Sequence, residues 1–218
     1  MKKYFNLYVL LGLSSLFLFV LLIILLNFDK AIIAESNDMV GMSHINNIVN
    51  YKYVIWVDKF SDIFFYLTFI VVACAVGLGI YQLVKNKSLA KVDKEIIIFG
   101  VFLVIAVGLW LVFDYVFKLN IRPTHEAKGS FPSTHVFLTT FFTLSCHGYL
   151  CKKFKGNQLV KYLSLCVAVV FIVLMLVTRV ASGMHYITDV TGGLFLGLSL
   201  YFLTFGISKY FVKEEQSE

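Results

Sequence analysis

Six apolar runs separated by short polar segments organise the chain, at about 6–27, 61–83, 96–117, 135–151, 162–181 and 189–211. Each has, or nearly has, the ~20 predominantly apolar residues that a helix needs to cross a bilayer. The pattern predicts an all-α, polytopic membrane protein of six transmembrane helices, and an even number of spans places both termini on one side. The first run opens with Met1-Lys2-Lys3 in the manner of a signal peptide. It is longer than the ~7–15 apolar residues of such a segment and no small-x-small cleavage site follows, so it reads as a retained first span.

Composition sharpens this picture. Of 218 residues, 59% are apolar and 17% aromatic, and the mean hydropathy is +0.84. One small core cannot bury that much apolar surface, so the excess faces lipid. Only 15% of residues are charged, against roughly 25% in soluble proteins. A soluble enzyme, a disordered chain and a disulfide-rich secreted module are all excluded. The length and the absence of repeats or low-complexity tracts indicate one domain over 1–218. Cys74, Cys146, Cys151 and Cys166 fall in or beside apolar runs and read as small buried hydrophobes.

The formal charge of +6 is spread through the connections rather than clustered, which argues against a nucleic-acid partner. Twelve of the 19 basic residues lie in the N-terminus, 85–95, 152–161 and the C-terminal tail. The positive-inside rule therefore predicts cytoplasmic termini. The outer segments are then about 28–60, 118–134 and 182–188. Tyr51, Tyr53 and Trp56 fit an interfacial aromatic belt in an ordinary surface loop, with a short amphipathic element as the alternative reading.

Candidate chemistry concentrates on the outer side. The chain has two arginines, Arg122 and Arg179, and two prolines, Pro123 and Pro132. Lysine fills the routine topological roles, so a guanidinium stands where a planar, bidentate donor suits phosphate oxygens. Arg179 follows the apolar run 171–177, where an ionisable group either meets a partner or cavity or snorkels to the headgroups. His185 and Asp189 stand four residues apart, so a carboxylate can orient one imidazole nitrogen and leave the other as a nucleophile; alone, such a pair also fits a structural role. Pro132-Ser133-Thr134-His135 directly precedes the fourth apolar run, where a capped helix N-terminus with free N–H groups can bind an anion. Each signal alone is weak, but all three fall at outer ends of spans.

Taken together these residues resemble the type 2 phosphatidic acid phosphatase superfamily, whose motifs read K-x6-R-P, P-S-G-H and S-R-x5-H-x3-D. The third is matched by Thr178-Arg179, His185 and Asp189, the second by Pro132-Ser133-Thr134-His135, and the first keeps Arg122-Pro123, so the motif region covers about 115–189. Tyr115 stands where the family has Lys, leaving Lys118, one helical turn on, or Lys128 as replacements. Lys118 equally suits an interfacial anchor paired with Asp114. Thr134 replaces Gly, and Thr178 replaces Ser.

The resemblance implies a lipid phosphatase in the cell membrane with its active site on the extracytoplasmic face and no cofactor. His185 would attack phosphorus to give a phosphohistidine, His135 would protonate the leaving oxygen, and Asp189 would orient His185. Arg122, Arg179, Ser133, Thr134 and Lys118 would bind the phosphate. No metal-ligand cluster is visible, so activity is expected to survive chelation; His44, His125 and Glu126 read as surface residues, and His147 lies toward the cytoplasmic side. Membrane logic narrows the substrate to undecaprenyl diphosphate, phosphatidylglycerol phosphate or phosphatidic acid, the first favoured by analogy in a compact bacterial-looking enzyme. A lipid headgroup transferase and a non-catalytic lipid-binding or transport protein are the competing classes.

Overall fold

The structure is a computed structural model, described over residues 7–32, 39–117, 119–124 and 128–214. The long helices are α1 (Leu7–Leu25), α3 (Ile55–Asn86), α4 (Lys94–Leu111), α5 (Thr134–Lys153), α6 (Gln158–Ala181) and α7 (Ile187–Glu214). A one-turn helix α2 (Ser43–Asn46) and two short antiparallel pairs, β1 (Ala31–Ile32) with β2 (Met39–Val40) and β3 (Leu119–Ile121) with β4 (Gly129–Phe131), lie in the connections. The protein is therefore mostly helical, as the apolar pattern predicts.

Among the described residues five helices are long and apolar enough to cross a membrane: α1, α3, α4 with its π-helical continuation to Val116, α6 and α7. The sixth, α5, is the exception for a physical reason. It carries Thr139, Thr140, Thr143 and Ser145, and the nine residues from Val136 to Leu144 are all buried. A helix encased by protein does not need a lipid-compatible surface on every side.

Helices α5 and α7 form the centre of the bundle. α1 and α4 pack on α7, while α3 and α6 pack on α5. Phenylalanines fill much of the space between them: Phe99 stacks on Phe141 at 5.4 Å, and Phe131 stacks on Phe19 at 5.7 Å. α1 and α7 run antiparallel, because Val9 adjoins Gly206 and Leu203 adjoins Gly12, which places the start of α1 beside the end of α7. The outward faces of α1, α3, α4 and α6 carry exposed Leu, Ile, Val and Phe side chains, the surface expected to meet acyl chains.

Three sequence expectations change. α3 begins at Ile55 rather than near 61, so Asp58 joins Asp62, which the predicted span already held, on the helix; both carboxylates have cationic or imidazole partners, which lets an apolar helix carry them. Tyr51 is not an interfacial aromatic. It is buried, packs edge-on against Tyr186 at 4.9 Å and accepts a hydrogen bond from the backbone N–H of Ile187 at 3.3 Å. None of the four cysteines is buried: Cys74 and Cys166 are exposed on outward helix faces, and Cys146 and Cys151 are half-buried. Apolar surroundings for a thiol on such a face come from lipid, not from a protein core.

Candidate active site

At one end of the bundle α3, α4, α5 and α7 meet with the β3–β4 hairpin and the turn before α7 around a cavity of about 250 Å³. Its polar end is made by Arg122, Ser130, Thr134, His135 and His185, and its apolar walls include Phe65 and Phe69 of α3 and Leu109, Trp110 and Phe113 from α4 and its extension. His185 and His135, fifty residues apart in the chain, thus share one concave space with a guanidinium.

His185 sits in the connection before α7, because Gly183 turns the chain with φ +74° and its carbonyl accepts from the Thr124 hydroxyl at 2.6 Å. A side chain at this position would strike the Lys52 carbonyl, so glycine is required by close approach as well as by φ. The imidazole is buried and its Nδ1 lies 2.9 Å from the Ser130 carbonyl oxygen. A carbonyl only accepts, so Nδ1 carries the proton and Nε2 holds the lone pair. Burial, reinforced by the positive charges of Arg179 and Arg122, holds the His185 pKa well below its ordinary 6.5. The ring is therefore neutral at physiological pH.

Asp189 is fully buried, but it does not hydrogen-bond His185 as the i, i+4 spacing predicts. α7 starts at Ile187, so His185 is not on its first turn, and the closest approach is 3.8 Å from Nδ1 to Oδ2. The carboxylate instead accepts from the Tyr186 N–H at 2.8 Å and from the Asn120 amide at 3.2 Å. It closes the turn that presents His185.

His135 lies on the first turn of α5. Its Nε2 is 2.9 Å from Asp62 Oδ1, and its ring packs on Phe65 with centroids 4.1 Å apart. Ser133 precedes the helix, fully buried, and its N–H donates to the Asp189 carbonyl at 2.9 Å, which ties the start of α5 to the start of α7. Ser133 makes no side-chain capping bond. Thr134 follows at the cavity wall.

Arg179 is 1% exposed and meets partners from α3, not headgroups. Its Nη1 donates to Asp58 Oδ1 at 2.6 Å and to Ser61 Oγ at 2.9 Å, with Asp62 Oδ1 at 3.7 Å. Arg122 emerges from β3; its N–H donates to the Lys128 carbonyl at 3.1 Å, across the hairpin. Tyr115 is exposed on the π-helical turn. Lys118, His125 and Glu126 lie outside the described residues. His147 is remote from this end, with Nδ1 2.8 Å from Ser164 Oγ. Among the described residues no group of three or more His, Cys, Asp or Glu side chains is placed to hold a metal ion.

The sequence reading missed Asp58, Ser61, Asp62, Asn120 and Ser130. Ser130 contributes through its backbone carbonyl, which no residue identity announces. Asp58 and Asp62 did carry a signal: two acids four residues apart, running into a long apolar helix, must face the bundle interior.

Comparisons with known proteins agree with this layout. Residues 106–213 match the PAP2 superfamily. Phosphatidylglycerophosphatase B of Bacillus subtilis (strain 168) is 35% identical over 85 residues, which span 39% of this chain and 42% of that protein, less than half its length. The crystal structure of the first transmembrane PAP2 type phosphatidylglycerolphosphate phosphatase from Bacillus subtilis aligns with a TM-score of 0.59 at 22% identity, covering 92% of this chain and 96% of that one. At that identity the likeness speaks for the fold, and the fold is that of the bundle described above. A PAP2 superfamily domain therefore occupies residues 106–213 of this chain.

Proposed function

We propose that this chain is an integral-membrane lipid phosphatase that hydrolyses a headgroup phosphate at the extracytoplasmic face through a phosphohistidine. The observation that carries the reading is the single cavity shared by His185, His135 and Arg122. In the first step His185 Nε2 bonds to phosphorus as the P–O bond to the lipid breaks, and the proton on His135 passes to the departing alkoxide. In the second step water attacks the phosphohistidine, His135 takes its proton, the N–P bond breaks and inorganic phosphate leaves. Asp189, 3.8 Å from Nδ1, stabilises the positive charge that His185 acquires between the steps.

Phosphoryl transfer asks a protein mainly for positioning and for neutralisation of the equatorial oxygens. Arg122 and the amides of Thr134 and His135 supply that field at the cavity, with the buried charge of Arg179 behind it and Lys118 or Lys128 as a further cation, and none of these roles calls for a metal. The relatives' names make phosphatidylglycerol phosphate the first substrate to assay, ahead of phosphatidic acid and undecaprenyl diphosphate. The twelve basic residues that the sequence pattern assigns to the other side of the spans support cytoplasmic termini and an outward-facing site.

Purified protein in detergent, given these three lipids with no acceptor, is expected to release inorganic phosphate in the presence of a strong chelator. His185→Ala is expected to abolish release and to lose an acid-labile, alkali-stable phosphoenzyme. Near-wild-type release by that variant rejects the mechanism, and release only when an acceptor alcohol is added favours the transferase.

A further inference from the structure

We infer that Asp62 is a positioning residue for the reaction: it holds His135 in the geometry and charge state in which that histidine protonates the leaving group. The inference rests on the hydrolase reading above and extends it to α3, a helix outside the matched segment 106–213.

Three observations carry it. First, Asp62 Oδ1 lies 2.9 Å from His135 Nε2, hydrogen-bond distance. A carboxylate only accepts, so Nε2 is protonated in this arrangement and Nδ1 is the nitrogen left to exchange a proton with the substrate. Second, the imidazole is fixed from the other side by the ring of Phe65, three residues further along the same helix, so one turn of α3 determines both the orientation and the partner of His135. Third, the same carboxylate oxygen lies 3.7 Å from Arg179 Nη1, whose main partner is Asp58 at 2.6 Å. Asp62 thus joins the acid–base histidine to the buried Arg179 guanidinium.

The placement has a cost that stability does not explain. An acidic side chain at the end of a membrane-spanning helix is expensive unless it meets a partner or water, and a neutral hydrogen-bond acceptor would satisfy the His135 N–H equally well. What a carboxylate adds is negative charge beside an imidazole that must carry a proton into the first step and recover one in the second. A general acid of this kind contributes about 10²–10⁴-fold. The contribution grows with the basicity of the leaving group, because a glycerol alkoxide needs a proton and a nitrophenolate does not.

The test compares kcat/KM, which reports the first step, for phosphatidylglycerol phosphate and for p-nitrophenyl phosphate, using the full-length protein in detergent. Wild type and His185→Ala judge the hydrolase reading. If wild type releases phosphate from neither substrate, both that reading and this inference fall. With wild type active, Asp62→Asn is expected to lower kcat/KM about 100-fold on the lipid and only a few-fold on p-nitrophenyl phosphate. Asp62→Glu is expected to recover part of the loss on the lipid. Should Asp62→Asn not accumulate as monodisperse protein, Asp62→Glu carries the same comparison, with a larger loss on the lipid than on the aryl phosphate. An equal loss on both substrates, or no loss on the lipid, overturns the inference and leaves the hydrolase reading standing.

Discussion

Gly193 is where the packing of the bundle is most directly coupled to the geometry of the site. It lies one turn after Asp189 on α7, against the first turn of α5. A Cβ added there would fall 2.6 Å from the Ser133 carbonyl oxygen and 3.2 Å from both the Phe137 nitrogen and the Val136 Cβ. The nearest obstacle is backbone, so no side-chain rotation relieves it. Restoring ordinary contact means opening the α5–α7 junction by roughly 0.8 Å, from 2.6 Å to about 3.4 Å. That junction is closed by the Ser133 N–H to Asp189 carbonyl bond, with His135 on one side and the His185 turn on the other. A misplacement of ~1 Å between reacting groups costs about 10²-fold in rate, and overpacking costs about 1–3 kcal/mol in stability.

Gly193→Ala is therefore expected to lower kcat/KM for phosphatidylglycerol phosphate by about 100-fold while the protein remains folded. Phosphate release in detergent gives the rate, and a thermal melt of the same sample gives the stability. Gly108→Ala is the matched control: it adds the same methyl to a helix, at an exposed position of α4 with nothing within 4 Å. A Gly193→Ala protein with wild-type kcat/KM, or a Gly108→Ala protein that falls as far, refutes the reasoning.

Two further predictions concern the turn before α7. Because burial and two guanidiniums hold the His185 pKa well below 6.5, protonation of the free enzyme is disfavoured, and His185 stays neutral as pH falls through 6.5. The nitrogen NMR signal of its Nε2 in histidine-labelled protein is expected to keep the pyridine-type shift at pH 6; a midpoint at or above 6.5 contradicts the burial argument. Asn46 is buried between α2 and α7, where its amide donates to the Gly41 carbonyl and the Thr188 hydroxyl, each at 2.9 Å, and its oxygen accepts from the Thr188 N–H at 3.2 Å. Asn46→Ala leaves those groups without partners at a cost of about 2 kcal/mol, read as a Tm lower by roughly 5 °C. An unchanged melt removes the α2 segment from the account of stability.

The sequence revealed the end of the bundle where chemistry is concentrated because its signals are local. Arg122, Ser133, His135, Arg179, His185 and Asp189 stand at or near the ends of apolar runs, and helical periodicity alone brings such ends to one side. What stayed hidden depends on contacts distant in the chain. Asn46 and Thr188 are 142 residues apart, and Arg179 and Asp58 are 121 apart, so no window of sequence contains either bond. The boundary of α3 failed for a related reason: Asp58, Lys59 and Asp62 lower the local hydropathy, and only their partners on α5 and α6 explain why a helix continues through the two acids. The direct His185–Asp189 bond failed because i, i+4 spacing means proximity only inside a helix. Here the helix begins two residues after His185.

The buried pair of Arg179 and Asp58 bears on why the site is built this way. Removing two charges from water costs several kcal/mol per ion, and well-packed apolar residues often serve stability as well or better. The helices α3 and α6 already have apolar surface available to pack, with Phe64 against Phe171 at 5.5 Å, so adhesion between them does not require the ions. What the ions provide is a guanidinium that cannot turn toward water. Asp58 and Ser61 hold its Nη1 from α3, and the peptide carbonyl of Arg179 accepts the N–H of His185 at 3.2 Å. One residue therefore fixes the neighbouring helix through its side chain and the His185 turn through its backbone. A lysine, with one flexible ammonium, would keep the charge without holding the plane of the donor, which accounts for arginine at this position in a chain that otherwise relies on lysine.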